Sequence, residues 1–146
     1  MSRFFKTRSR VARKKPLMLV KGTFDLTMNA EPPYDVEGGV TLARVRFDKR
    51  FAGPLEATSE VHMIGARTQV EGSAGYVAIE RVRGTLQDRR GTFVLQHNGV
   101  MNRGATSLSV TVVPDSGTEQ LAGISGTMAI QVVDGKHFYE LDYEIA

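Results

Sequence analysis

The sequence predicts an all-β protein, an eight-stranded antiparallel up-and-down barrel. From residue 21 onward, apolar and polar residues alternate with the period of two that a half-buried strand produces, and helical periodicity is nearly absent. Short turn signals separate these segments, and connections this short favour antiparallel neighbours because a parallel crossover needs a dozen or more residues. A two-sheet sandwich is the structural alternative, since periodicity does not distinguish a closed sheet from two stacked ones.

The strongest strand signal lies at residues 43–51. The odd positions there are apolar except Lys49, whereas every even position is charged, as expected for a strand with one buried and one exposed face. The same alternation predicts seven further strands, near residues 21–28, 55–64, 75–86, 91–100, 106–113, 124–132 and 137–145. Turn signals lie between them at residues 38–39, 52–54, 88–91, 102–104, 115–117 and 134–135. Glycines beside the strands favour the curling that closes a barrel.

The composition is that of one ordinary globular domain. The chain has 146 residues, of which 41% are hydrophobic and 24% charged, enough for a single core. The absence of cysteine excludes disulfides, thiolate metal sites and a cysteine nucleophile. The longest apolar run, residues 16–20, is far shorter than the roughly 18 residues of a membrane-spanning helix. We therefore expect a soluble protein with no membrane segment, located in the cytoplasm.

The positive charge is concentrated at the start of the chain. Residues 1–15 hold seven of the 19 Lys and Arg and no acid, so the remainder carries 12 basic and 16 acidic residues, a net charge of −4. We expect residues 1–20 to form a basic, disordered tail and residues 21–146 to form the barrel domain. Nucleic-acid binding by an acidic body is not expected, so contact with nucleic acid or an anionic surface would have to come from the tail. The tail lacks a secretory signal pattern, while an organelle presequence or an upstream start site are alternatives.

The candidates for a site are polar residues at strand positions whose alternate neighbours are apolar, because such residues share the inward face. If a hairpin turns through residues 88–90, Leu86 pairs with Phe93, and Glu80 and His97 become diagonal neighbours on the inward face. Lys49 shares the inward parity of the phenylalanines beside it, and two tyrosines share that of Leu141. The predicted pocket-lining residues are therefore Lys49, Glu80, His97, Tyr139 and Tyr143.

These side chains form a set able to bind a ligand or move protons. Burial raises a glutamate pKa and lowers a lysine pKa toward the range of general acid–base catalysis. In the purely structural alternative, Lys49 and Glu80 neutralise each other as a buried pair and His97 caps a backbone group. No catalytic residue is assigned. No metal or cofactor is expected either, because His62, His97 and His137 have no ligand spacing and no nucleophile or phosphate-loop motif is present.

Several motifs resemble a known family. These are YVAIER at 76–81, GTL at 84–86, GTFVLQHNG at 91–99, VVPDSGT at 112–118, LAGISG at 121–126 and YELDY at 139–143. Together they resemble an uncharacterised, mostly bacterial domain-of-unknown-function family, over about residues 22–143. Lys49, Glu80, Gln96 and His97 fall on positions that look characteristic of it. The basic start and Val82-Arg83, where the family more often has Phe-Thr, depart from the pattern.

The resemblance implies a fold similar to the allene oxide cyclase barrel, a relative of the lipocalin-like barrels that is commonly oligomeric, and it implies no established activity. We expect a small-molecule-binding barrel with Glu80, His97 and Lys49 as polar anchors in an apolar pocket. Cofactor-free cyclase or isomerase chemistry on an apolar ligand would extend this function, and whether the protein is an enzyme is left open. The alternatives are a non-enzymatic homo-oligomeric barrel that acts through its surface, and contact of the tail with nucleic acid or an anionic surface.

Overall fold

Nine β-strands run through residues 17–146, the part of the chain that the computed structural model describes. They are β1 (Met18–Ala30), β2 (Asp35–Glu37), β3 (Val40–Ala52), β4 (Leu55–Arg67), β5 (Ala74–Leu86), β6 (Arg89–Asn102), β7 (Ala105–Val112), β8 (Ile124–Val133) and β9 (Lys136–Ile145). Most of the predicted basic tail lies outside the described residues. In residues 17–146, no helix is long and apolar enough to cross a membrane.

The strands form one antiparallel sheet that closes on itself. Its order is β1-β9-β8-β7-β6-β5-β4-β3-β2, and β1 also pairs with β3. That last pairing joins the two sides of the sheet, so β1 and β3–β9 make a closed eight-stranded barrel. The predicted barrel is confirmed, and the sandwich alternative is excluded.

The ninth strand, β2, was not predicted. It has three residues, all exposed, which is too short for an alternating pattern to be visible. It pairs with the start of β3 through the predicted Gly38-Gly39 turn, where both residues have positive φ. This geometry suits a tight two-residue hairpin, and glycine adopts it without a steric cost. The hairpin lies on the edge of the barrel and adds nothing to its closure.

The predicted register of the β5–β6 hairpin was wrong. Leu86 pairs with Arg89, and the residue opposite Phe93 is Val82. The turn residues are Gln87 and Asp88, both with positive φ, which gives a tight two-residue turn in place of the longer turn expected at residues 88–90. The register moves by four residues, an even number, so every side chain keeps its predicted face.

The interior of the barrel differs between its two ends. At one end, here called the closed end, the loop between β7 and β8 makes a single 3-10 turn, Glu119–Leu121, and Leu121 is 1% exposed. Thr118 fastens this loop to β6, because its backbone N–H donates to the Thr92 carbonyl and its hydroxyl accepts from the Thr92 N–H. The opposite end, here called the open end, carries the β4–β5, β6–β7 and β8–β9 turns.

The seam between β7 and β8 is the shortest in the barrel. The two strands pair at a single register position, Thr111 with Thr127, whereas β4 and β5 pair along their whole length. Thr111 lies near the end of β7 that leads to the closed end, so the rest of the seam faces the open end. The barrel wall is therefore least continuous beside the open half of the interior.

Candidate ligand site in the barrel

A cavity of about 270 Å³ occupies the open half of the barrel interior. All eight barrel strands contribute to its lining, which consists of Phe24, Leu26, Phe47, Lys49, Val61, Met63, Tyr76, Ala78, His97, Leu108, Ile130 and His137. The lining residues toward the mouth, such as Leu26 and Met63, are half-exposed, whereas Phe24 and Val61 deeper in are buried. The cavity therefore has a mainly apolar wall and a buried floor.

Strand periodicity brings these side chains together, and one close backbone approach shapes the wall. Tyr76 lies opposite Gly99 in the β5–β6 pairing. A Cβ at Gly99 would overlap the Tyr76 ring, so only glycine lets the ring lie against the neighbouring strand. The ring is thereby held as part of the cavity wall.

Four neighbouring strands supply the polar floor. Lys49 on β3 faces Ser59 on β4, and Glu80 on β5 and His97 on β6 follow as diagonal neighbours across the sheet. Glu80 is at the centre and is fully buried. Its Oε1 accepts hydrogen bonds from Lys49 Nζ at 3.3 Å and from His97 Nε2 at 2.7 Å, and its Oε2 accepts from the Ser59 hydroxyl at 2.6 Å.

These partners keep Glu80 ionised. Burial alone would raise the pKa of Glu80, but the hydrogen bond from His97, the charge of Lys49 and the hydrogen bond from Ser59 together lower that pKa below its ordinary value. An ionised carboxylate can only accept hydrogen bonds. The proton of the contact between Glu80 and His97 therefore belongs to His97 Nε2, a tautomer assigned from the hydrogen-bond network.

Lys49 is held by one carboxylate and two aromatic faces. Its side chain is 6% exposed, and Nζ lies 4.5 Å from the centre of the Phe24 ring and 5.6 Å from that of Phe51. Aromatic faces attract a cation, most strongly where water is excluded. The ammonium has three N–H donors, and Glu80 is its one hydrogen-bond partner in residues 17–146. Lys49 therefore keeps N–H groups that can donate a hydrogen bond to a ligand in the cavity.

The hydrogen-bonding capacity of His97 is likewise only partly used. It is 4% exposed and lines the cavity, and its Nε2 is bound to Glu80. Its second ring nitrogen, Nδ1, makes no hydrogen bond to any part of the chain that the structure describes. The purely structural alternative is therefore only half right. The buried Lys49–Glu80 pair is present. The His97 ring, however, is bonded to Glu80 and does not cap a backbone group.

Tyr139 and Tyr143 lie inside the barrel but away from this cavity. The Tyr139 hydroxyl accepts the Leu55 N–H at 3.0 Å and is 3.3 Å from the Ala52 carbonyl, and the Tyr143 hydroxyl donates to Gln87 Oε1. Burial raises the pKa of both phenols, so both stay neutral. The structure therefore brings together Lys49, Glu80 and His97 and places the two tyrosines in the packed half.

Other lining residues were not singled out from the sequence. His137 shares the parity of Tyr139, so the period of two already placed it on the inward face. Phe24 alternates with polar neighbours and Tyr76 shares the inward parity of Ala78, yet nothing local distinguishes a cavity wall from a packed core. Knowing which end of the barrel is filled would have been necessary to choose them.

Larger depressions lie on the outside of the barrel but make weaker ligand sites. One of about 650 Å³ crosses β3 to β6, and much of its lining is exposed and charged, with Arg81 and Arg83 among the residues. Ligand pockets bury most of the ligand against mainly apolar walls with a few placed polar groups. The interior cavity fits that description better. Within residues 17–146, no three His, Asp or Glu side chains cluster as a metal site.

Comparison with known proteins identifies the family. No curated protein matches the chain. A crystal structure of a DUF3224 family protein of unknown function from Shewanella oneidensis MR-1 is similar, with 47% sequence identity and a TM-score of 0.85 over 89% of this chain and 98% of that one. The model of the family described as "Protein of unknown function (DUF3224)" matches residues 20–143. The chain therefore belongs to the DUF3224 family, which confirms the resemblance to a domain-of-unknown-function family.

Proposed function

We propose that the protein binds a small apolar molecule in the cavity at the open end of the barrel. The observation that carries this proposal is a cavity that is lined by all eight barrel strands, mainly with apolar side chains, and that has Lys49 and His97, both buried, in its lining. Each of these two groups already has one partner, Glu80, and keeps a further hydrogen-bonding atom that a ligand can use. A ligand that forms a hydrogen bond with Lys49 or His97 is therefore held more tightly than one that makes apolar contacts alone.

The volume limits the size of the ligand. A cavity of about 150 Å³ holds one benzene molecule, and the cavity here has about 270 Å³. It is slightly smaller than the roughly 300–1,000 Å³ of sites that hold drug-sized ligands. A molecule of about ten non-hydrogen atoms, such as a fused bicyclic ring, fits this space.

The same cavity suits a cofactor-free cyclase or isomerase. Such an enzyme gains rate by confining a reactive molecule in one geometry and by placing a few polar groups where charge develops. The floor supplies a cation at Lys49 and an imidazole at His97 beside an ionised Glu80. Three groups in fixed positions are sufficient for a reaction that only rearranges bonds.

Native mass spectrometry of gently purified protein tests the proposal, together with a titration of tetralin followed by amide chemical shifts. We expect either a co-purified molecule or saturable binding of tetralin. Leu108→Trp places an indole in the cavity wall and should weaken binding at least tenfold. Val77→Trp, on the exposed outer face of β5, is the matched control and should not. A wild-type protein that retains no molecule and does not bind tetralin would contradict the proposal.

A second candidate function, a non-enzymatic homo-oligomer, is favoured by the outer surface. Ile64, Val77 and Ile79 lie exposed side by side on β4 and β5, with Arg46 and Glu31 at the rim of the same groove. An apolar centre with both signs of charge around it is self-complementary, as a two-fold contact with a second copy requires. Light scattering of the wild type and of Ile79→Arg tests this, and a wild type that is monomeric at micromolar concentration would exclude it.

Two sequence-based expectations stay predictions. Binding of the tail to nucleic acid or to an anionic surface concerns residues outside the described range, and a salt-dependent interaction that disappears on deletion of residues 1–15 would support it. The cytoplasmic location is also still a prediction, and fluorescence microscopy of a tagged full-length chain in its host would check it.

A further inference from the structure

The side chain of His97 connects an ionised carboxylate to the cavity. Its Nε2 donates to Glu80 Oε1 at 2.7 Å, while Nδ1 has no hydrogen-bond partner in residues 17–146. When the ring is neutral and Nε2 carries the proton of that contact, Nδ1 holds a free lone pair. A carboxylate on one ring nitrogen fixes the tautomer and stabilises the imidazolium that forms when the other nitrogen takes a proton. His97 therefore has the arrangement of a general base.

Lys49 complements this base with a hydrogen-bond donor. Its Nζ lies 3.3 Å from the same Oε1 of Glu80, and Lys49 lines the same cavity as His97. Both polar groups of the floor therefore contact one carboxylate oxygen. The ammonium that forms the ion pair with Glu80 has no lone pair, so it cannot attack a carbonyl carbon to form a Schiff base. It can donate to an oxygen on which negative charge develops.

The charge balance of the floor indicates what kind of ligand it accepts. Lys49 and Glu80 neutralise each other, so the buried cluster has no net charge when His97 is in the neutral form that a base requires. A carboxylate or phosphate ligand would bring an uncompensated charge into this site, which is costly. An uncharged ligand oxygen would only need the free N–H of Lys49. Apart from Tyr76 and His137, the walls around the floor are apolar.

We propose that the cavity takes a small, uncharged, apolar ketone and that His97 Nδ1 moves a proton from the carbon next to its carbonyl group. This rests on the proposed ligand binding in the cavity. The C–H bond breaks, its electron pair forms the C=C bond of an enolate, and the proton goes to Nδ1. Lys49 donates a hydrogen bond to the enolate oxygen. In a β,γ-unsaturated ketone, return of the proton from Nδ1 to the γ-carbon moves the C=C bond into conjugation with the re-formed carbonyl group and completes an isomerisation, with no oxidant or cofactor.

The experiment compares two ligands of the same shape. Tetralin reports binding to the apolar cavity alone, whereas 2-tetralone adds a carbonyl group and an acidic C–H. Binding of both is measured by amide chemical shifts, and exchange of the acidic C–H for deuterium from D₂O is followed by proton NMR. We expect the wild type to bind 2-tetralone more tightly than tetralin and to accelerate the exchange over the buffer rate.

His97→Gln separates the base from the fold. A glutamine amide can still donate to Glu80, but it offers no basic nitrogen. We expect at least a 100-fold loss of exchange, within the range of general base catalysis, and tetralin binding measured in the same variant reports whether the cavity has kept its shape. Lys49→Met should lower the exchange rate and also remove the preference for 2-tetralone over tetralin, since the oxygen loses its donor. His97→Asn provides a second variant if the first does not fold.

The outcomes distinguish this proposal from the one on which it rests. If 2-tetralone binds the wild type but exchanges at the buffer rate, proton transfer is wrong and ligand binding stands. If exchange persists undiminished in folded His97→Gln, the assignment of the base is wrong. If neither tetralin nor 2-tetralone binds, both proposals fail.

Discussion

The two halves of the barrel are made from the same strands but differ in how their interiors are filled. In the packed half, Phe51, Leu86 and Leu95 are no more than 1% exposed, and Leu121 closes the end. In the open half, inward residues such as Phe47 are half-exposed and surround a cavity. The charged cluster at Glu80 lies in the floor between the halves. One alternating pattern thus supplies a core at one end and room for a site at the other.

The largest difference between the halves is expected from two phenylalanines of the same strand. Phe51→Ala should lower the free energy of unfolding by about 3–5 kcal/mol, because it opens a void in a close-packed region. Phe47→Ala should lower it by only about 1 kcal/mol, because that ring already faces the cavity and solvent. Urea denaturation measures both. Equal losses would mean that the open half is as tightly packed as the closed one.

The next largest effect is expected at the boundary between the halves. Glu80→Gln leaves the Lys49 ammonium buried without its counter-ion, which should cost about 3 kcal/mol. The double variant Lys49→Met with Glu80→Gln removes both charges and should cost less than the two single losses together, by about 1–3 kcal/mol. Urea denaturation of the four proteins completes the cycle. Strictly additive losses would show that the two charges do not stabilise each other.

The sequence predicted the barrel and the inward residues but not the division between the halves. The error in the β5–β6 register did not affect the faces, because a shift of four residues preserves parity. The turn itself was misplaced because Gln87 is not a residue that usually marks a position with positive φ. The cavity was not visible because Tyr139 and His137 have the same parity and lie two residues apart. Only the closed tertiary structure determines which of them lines it.

A smaller effect concerns the pH dependence of stability. The folded-state pKa of Glu80 lies below its value in the unfolded chain, which is about 4.3. Its contribution is therefore complete above about pH 5 and is lost as the pH falls through the unfolded value toward the folded one. The difference in unfolding free energy between the wild type and Glu80→Gln should shrink over this range.

Glu60 provides the control for this experiment. Its pKa is also lowered, by a hydrogen bond with His62, but its side chain is exposed on the outer face of β4. Glu60→Gln should leave the pH profile close to that of the wild type, because solvent screens an exposed pair. Chemical denaturation between about pH 3 and 7 measures all three proteins. A Glu80→Gln profile parallel to the wild type would show that Glu80 titrates as it does in the unfolded chain.

The smallest predicted effect compares two tyrosines that each lie over a glycine. The Tyr139 ring packs on Gly22 in the packed half, and the Tyr76 ring packs on Gly99 beside the cavity. Tyr139→Phe removes the acceptor of the buried Leu55 N–H and should cost about 1–2 kcal/mol. The Tyr76 hydroxyl has no hydrogen-bond partner in residues 17–146, so Tyr76→Phe should change the stability by less than about 0.5 kcal/mol.

Thermal denaturation of both variants measures this pair. The rings and their glycine contacts are retained in each case, so any difference comes from the hydroxyl groups alone. If Tyr139→Phe costs nothing, water replaces the lost hydroxyl at Leu55 and the packed half is open to solvent. If Tyr76→Phe costs as much as Tyr139→Phe, its hydroxyl is bonded inside a closed mouth. Only unequal losses agree with one dry half and one half that is open to a ligand.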